Sequence, residues 1–94
     1  MRCDEILFSA HAIMRMFERT VQREDVTNAI LGGEIIAEYM DDRPYPSYLL
    51  LWFADQQPLH VVVARDEASY SCYVVTVYVP DGAVWDQGFK MRKQ

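Results

Sequence analysis

The chain has 94 residues, 51% hydrophobic and 24% charged, which describes a single folded domain over residues 1–94 and excludes both a disordered segment and a second core. Nine basic against fourteen acidic side chains leave a net charge of −5, which counts against nonspecific duplex binding but not against a small basic site on an acidic body. The basic residues are seven Arg and only two Lys, and Arg is the better residue for bidentate phosphate recognition.

The first third reads as helix. Ser9 is a good N-cap for a helix over Ala10 to Arg19. At about 100° per residue, Ala10, Ile13, Met14, Met16 and Phe17 share one arc, and His11, Arg15, Glu18 and Arg19 share the opposite one. A second helix is expected from Arg23 to Leu31, with Glu24 and Asp25 in the first turn and Gly32-Gly33 as the stop.

The period then changes. Glu34 to Asp41 alternates imperfectly, and two prolines make 42–47 a loop in which Arg43 is expected to pair with its aspartates. Tyr48 to Ala54 is the next strand, and its apolar run is far too short to span a membrane. Asp55 to Pro58 is read as a turn. Leu59 to Arg65 and Tyr70 to Val79 are rich in β-branched residues and should pair as a hairpin. Pro80-Asp81-Gly82 ends the last strand, and the tail from Ala83 carries Trp85, Phe89, Lys90, Arg92 and Lys93. The expected fold is α+β: two N-terminal helices packed on one face of a four-stranded antiparallel sheet.

Cys3 and Cys72 can form one disulfide, but the chain opens with polar residues rather than a signal peptide, so free thiols in a reducing cytoplasm are the expectation. His and Cys lie scattered at positions 3, 11, 60 and 72, without metal-ligand spacing, and no phosphate-binding glycine loop is present. No metal and no cofactor are expected.

Two constellations can carry chemistry. The first is the helical stripe of His11, Arg15 and Arg19. A helix N-terminus disfavours imidazolium, so His11 is suited to accept a proton, and arginines one and two turns later can hold a phosphate. The competing reading is a solvated face with Arg15 paired to Glu18. The second is on the strands. Strict alternation puts Cys72, Val74, Thr76 and Tyr78 on one face and Tyr73, Val75, Val77 and Val79 on the face that meets the helices. His60, Thr76 and Tyr78 then line the uncovered face, where an ordinary wet sheet surface is the alternative.

The segments Phe8-Ser9-Ala10-His11-Ala12, Arg15-Met16, Glu18-Arg19, Asp25-Val26 and Gly33-Glu34-Ile35-Ile36 resemble an uncharacterised bacterial and archaeal family, the domain of unknown function 4258. The resemblance continues through Asp41-Asp42-Arg43-Pro44-Tyr45-Pro46-Ser47, Pro58-Leu59-His60-Val61-Val62, Thr76-Val77-Tyr78, Pro80-Asp81, Trp85 and Phe89-Lys90 to Arg92. It implies a RelE/MqsR-like fold and the toxin half of a toxin–antitoxin system, with an antitoxin protein of zinc-finger or helix-turn-helix type as partner.

The implied activity is a metal-independent endoribonuclease that cleaves messenger RNA through 2′-hydroxyl attack. That reaction needs a base, an acid and positive charge at the phosphorane. His11 or His60 supplies the base, Tyr78 or the other histidine the acid, and Arg15, Arg19, Lys90 and Arg92, with Thr76, the phosphate contacts. One site requires His11 and an α-helical arginine in a single pocket with His60, Thr76 or Tyr78. The alternative is a non-catalytic interaction module that binds a small antitoxin-like partner or itself as a homodimer, anchored by Tyr45, Tyr48 or Trp52.

Overall fold

The protein is described by a computed structural model covering residues 1–93. The elements run β1 (Glu5–Phe8), α1 (Ala10–Arg19), α2 (Arg23–Gly32), β2 (Glu34–Tyr39), β3 (Ser47–Ala54), β4 (Gln57–Arg65) and β5 (Ser71–Tyr78). The two helices and the strand order after them agree with the α+β expectation. The sheet, however, has five strands in the order β1-β5-β4-β3-β2. It is mixed rather than purely antiparallel, because β1 lies parallel to β5. At four residues β1 is too short to show a period in the sequence, and it becomes a strand only because β5 offers it an edge.

Local chemistry fixes both helices. The Ser9 side chain accepts from the Ala12 amide, and Thr20 closes α1 in a left-handed conformation that returns its N–H to Met16 and Phe17. Asp25 accepts the Gln22 amide at 3.2 Å at the start of α2. Gly33 joins α2 to β2 where no side chain fits, since a Cβ there would lie 2.9 Å from the Leu51 carbonyl oxygen. The β3–β4 turn is tighter than the sequence suggests: Asp55 and Gln56 both take positive φ, and Gln57 and Pro58 already pair with β3.

The core lies between the helices and one sheet face, built from Val26, Ala29 and Ile30 of α2 and Leu50, Val61, Val63, Val74 and Val77 of the sheet. From α1 it takes Ala12 and Met16. The rest of the apolar arc of α1 points to solvent: Phe17 is 87% exposed, Met14 63% and Ile13 52%. An amphipathic helix ordinarily turns that arc onto its own sheet. Here the seam against β5 runs along Ala12 and Met16, at the border between the apolar and the polar arc.

Strict alternation also fails in β5. Val62 pairs with Thr76 but Val63 with Val74, so Val75 is the extra residue of a bulge. The bulge reverses the facing halfway along the strand. Cys72, Val74 and Val77 are buried with the helices, while Tyr73, Thr76 and Tyr78 belong to the other face.

The expectation of free thiols is overturned: Cys3 and Cys72 form a disulfide across 69 positions, with Cα atoms 5.7 Å apart. The reason is β1, whose pairing of Ile6 with Cys72 brings Cys3 alongside β5. The expected pairing of Arg43 with its aspartates is also absent. Asp42 accepts a short hydrogen bond from Ser47, and Arg43 has no ion-pair partner among the described residues.

Candidate functional site

The face away from the helices is only partly open. On β3, Leu49 and Leu51 alternate with the core residue Leu50 and are themselves almost fully buried. The C-terminal segment folds back over part of this face, setting Trp85 and Phe89 against His60 and Phe89 against Phe53. Its ends are joined by a bridge between Trp85 and Arg92.

His60 sits under that segment, fully buried. Its Nε2 lies 2.7 Å from the Phe89 carbonyl oxygen and its Nδ1 3.1 Å from the Tyr78 hydroxyl. A carbonyl can only accept, so Nε2 carries the proton and Nδ1 accepts the Tyr78 O–H. Trp85 meets the imidazole edge to face, with centroids 4.5 Å apart. Burial pulls the His60 pKa below its ordinary value, which the bond to Phe89 offsets in part, and burial pushes the Tyr78 phenol up. The strand position that suggested an accessible base therefore holds a structural histidine, with both ring nitrogens occupied and no room for substrate. Alternation gave the face of His60 but could not show that the tail covers it.

His11 is in the opposite situation. As the second residue of α1 it is exposed, and its Nε2 lies 3.1 Å from Thr76 Oγ1. The same junction is fastened by Ser9, whose amide and hydroxyl donate to the Val74 and Val75 carbonyls. The ring's other nitrogen has no partner among the described residues. Thr76 and Tyr78 are two positions apart on one strand, so their Cα atoms are roughly 7 Å apart. Helix stripe and sheet set thus meet directly at His11 and Thr76.

The cations are spread more widely. Arg15, one turn after His11, pairs with Glu18 at 3.3 Å, and Arg19 is exposed in the last turn. Lys90 pairs with Glu34 at 3.0 Å on the far edge strand, and Arg92 lies over the Trp85 ring. The tail cations are thus held on the plug above His60, away from the α1 arginines.

Beside Thr76 lies a cavity of about 480 Å³. Val62, Ala64 and Val75 form its apolar floor, and Tyr45, Tyr73 and Arg43 are among its walls. Thr76 adjoins it, being next to Val75 in the chain and opposite Val62 across the ladder. Tyr45 and Tyr73 are stacked at 5.5 Å with ring planes 8° apart. The charge of Asp66, with Tyr73, raises the Tyr45 phenol pKa. Neither His11 nor an α1 arginine lines this cavity, so the expected single pocket is not found; His11 reaches Thr76, the chain neighbour of the lining residue Val75. The sequence signal for the cavity was the Arg43-Pro44-Tyr45-Pro46 loop, which reads only as a strand break until Tyr73 is seen beneath it.

The aromatic residues expected to anchor a partner are differently placed. Tyr48 is buried and donates to Glu67 at 2.7 Å, Trp52 packs on the core, and Tyr45 is in the stack. Among the described residues no three His, Cys, Asp or Glu side chains converge on one point, and no helix is long and apolar enough to cross a membrane.

A family model described as a domain of unknown function (DUF4258) matches residues 8–79, from the end of β1 to just beyond β5. No curated protein and no solved structure matches the chain.

Proposed function

Since the chain belongs to the DUF4258 family, which is defined without an activity, we propose its function from its own site: a metal-independent endoribonuclease of RelE/MqsR-like toxin type, acting on messenger RNA in the cytoplasm, where the Cys3–Cys72 pair would be held reduced. The observation that carries this reading is the exposed His11–Thr76 pair at the helix N-terminus, next along β5 to a pocket lined by Arg43, which has no ion-pair partner among the described residues. With Nε2–H donated to Thr76, the Nδ1 lone pair of His11 is free to take the proton of a ribose 2′-hydroxyl. The 2′-oxygen then bonds to the adjacent phosphorus and the bond to the 5′-oxygen breaks, giving a 2′,3′-cyclic phosphate. The leaving oxygen takes its proton from Tyr78, whose O–H rests on His60 Nδ1 in the free protein and has to turn from it to the leaving oxygen. Arg15 and Arg43 offset charge on the phosphorane, with Arg19, Lys90 and Arg92 as outlying phosphate contacts. His60 acts through Tyr78, which it orients.

Induced expression should arrest growth, and His11→Ala should relieve the arrest. In vitro, cleavage of messenger RNA should persist in a chelator and fall about 100-fold or more in the His11 variant, the usual cost of losing a general base. Cleavage abolished by chelation, or unchanged in His11→Ala, would defeat this mechanism.

A second reading rests on another observation, the outward stripe of Ile13, Met14 and Phe17. A monomer gains nothing from holding these side chains in water, and such a stripe suits a small antitoxin-like protein or a second copy of the chain. A toxin needs an antitoxin surface as well, so the two readings separate only on whether RNA is cleaved.

A further inference from the structure

We propose that the cavity under the 42–47 loop binds one unpaired nucleotide of single-stranded RNA, with the base against the Tyr45–Tyr73 stack and the phosphate on Arg43. This deepens the RNA-directed reading above and rests on it for the identity of the polymer.

The size is right: about 480 Å³ falls within the roughly 300–1,000 Å³ of small-ligand sites. The lining is right for a base. The floor of Val62, Ala64 and Val75 is apolar, and two tyrosines already stacked on each other present an aromatic wall whose ordering cost was met in folding. Aromatic walls accept any base, because every base has a π-face.

The charge is right for a phosphate. Arg43 is exposed and without an ion-pair partner among the described residues, so it is the cation a phosphate would meet. Asp42, which also lines the cavity, keeps its charge while accepting from the Ser47 hydroxyl, and Asp66 lies near the Tyr45 phenol, so the phosphate has to sit on the side of Arg43 away from both. Those same carboxylates can accept only, so they favour a base edge that donates N–H, which adenine, cytosine and guanine do from an exocyclic amino group and uracil from N3 alone. A paired base inside a duplex cannot reach the floor, so the occupant must be unpaired. The position is right for the chemistry: Val75 and Val62 line the cavity and flank Thr76, whose hydroxyl meets His11, so a nucleotide held there lies next along β5 to that pair.

The test is fluorescence anisotropy with a labelled short single-stranded oligoribonucleotide, its duplex, and adenosine and cytidine 5′-monophosphates as competitors, with cleavage followed on the same samples. Arg43→Ala and Tyr45→Ala alter loop residues and should leave the fold intact, which far-UV circular dichroism checks. Tyr73→Ala probes the wall from the strand. The expected result is that each variant weakens single-strand binding about tenfold, and that the duplex and the monophosphates bind at least tenfold more weakly than the single strand. Binding unchanged in both loop variants would overturn the proposal even if cleavage is intact. Monophosphates as tight as the oligomer would also overturn it, in favour of a free-nucleotide site. Single-strand binding that depends on these residues without any cleavage would uphold the cavity and defeat the nuclease reading. No RNA binding by the native chain would remove both.

Discussion

At the scale of single residues, the two histidines separate cleanly. His60 has no exposure and no unmet polar atom, so its loss is a folding defect. His60→Ala would leave the Phe89 carbonyl and the Tyr78 hydroxyl unpaired beside a cavity under Trp85, and should cost about 2–4 kcal/mol in urea denaturation. The pH dependence follows from the depressed pKa. The unfolded chain protonates its histidine near 6.5, the folded one only at lower pH. Between those two values the unfolded state binds the extra proton, so this contribution is complete above about pH 6.5 and is lost as pH falls through the folded pKa. Urea midpoints measured from pH 7.5 down to 5 should decline in the native chain and stay flatter in His60→Gln. His11→Ala removes only an exposed hydrogen bond to Thr76, and its unfolding free energy in urea should fall by no more than about 1 kcal/mol. Both histidines were visible as candidates in the sequence, but nothing there distinguished the buried one. Which nitrogen meets which partner depends on Phe89, 29 residues away in the chain.

At the scale of elements, α1 was legible because its signals are local, a serine cap and ten residues of helical period, whereas its left-handed stop at Thr20 carries no signal in the sequence. What the period could not show is which way the apolar arc would face. Burial of the Ala12–Met16 seam leaves Phe17 nearly free of the fold, so Phe17→Asp should change stability by only about 0.5 kcal/mol. The same substitution should abolish any concentration-dependent shift in gel-filtration elution that the apolar stripe causes. β1 was illegible because its stability is not local. It is held by a ladder to β5 and by the Cys3–Cys72 bond, whose closure of a 69-residue interval is worth about 4 kcal/mol in the chain-entropy treatment. Reduction, or Cys3→Ser, should lower the urea midpoint accordingly. It should also expose the β1–α1 junction that carries His11, read as faster amide exchange at Phe8 to Ala12. The Val75 bulge was hidden for a related reason. A run of β-branched residues looks the same with or without one extra residue, and only pairing with Val62 and Val63 reveals it.

At the scale of the whole molecule, the acid balance and the proposed substrate pull in opposite directions. The net charge of −5 repels a polyanion at long range, so attraction must come from a few cations acting at contact. The fold limits how many can act together. Lys90 is tied to Glu34 on one sheet edge, Arg92 lies on Trp85, Arg2 and Arg65 are paired with Asp4 and Glu67, and Arg23 lies over Phe8. Arg43 at the cavity, Arg15 beside His11 and sharing its charge with Glu18, and Arg19 one turn further along α1 remain, with Arg92 close enough to act on Tyr78 and Lys93 in the tail. A protein that neutralises about two phosphates of a single strand releases few counterions, and log K should then fall with log salt at a slope of about −1.4. Titration of the labelled oligoribonucleotide across a salt series gives that slope directly, and Arg43→Ala should reduce it by about 0.7. A slope steeper than about −4 would mean an extended basic interface, which the placement of these side chains does not provide. A shallow slope combined with loss of affinity in Tyr45→Ala would locate the binding energy in base stacking, and so explain how an acidic chain can hold RNA at all.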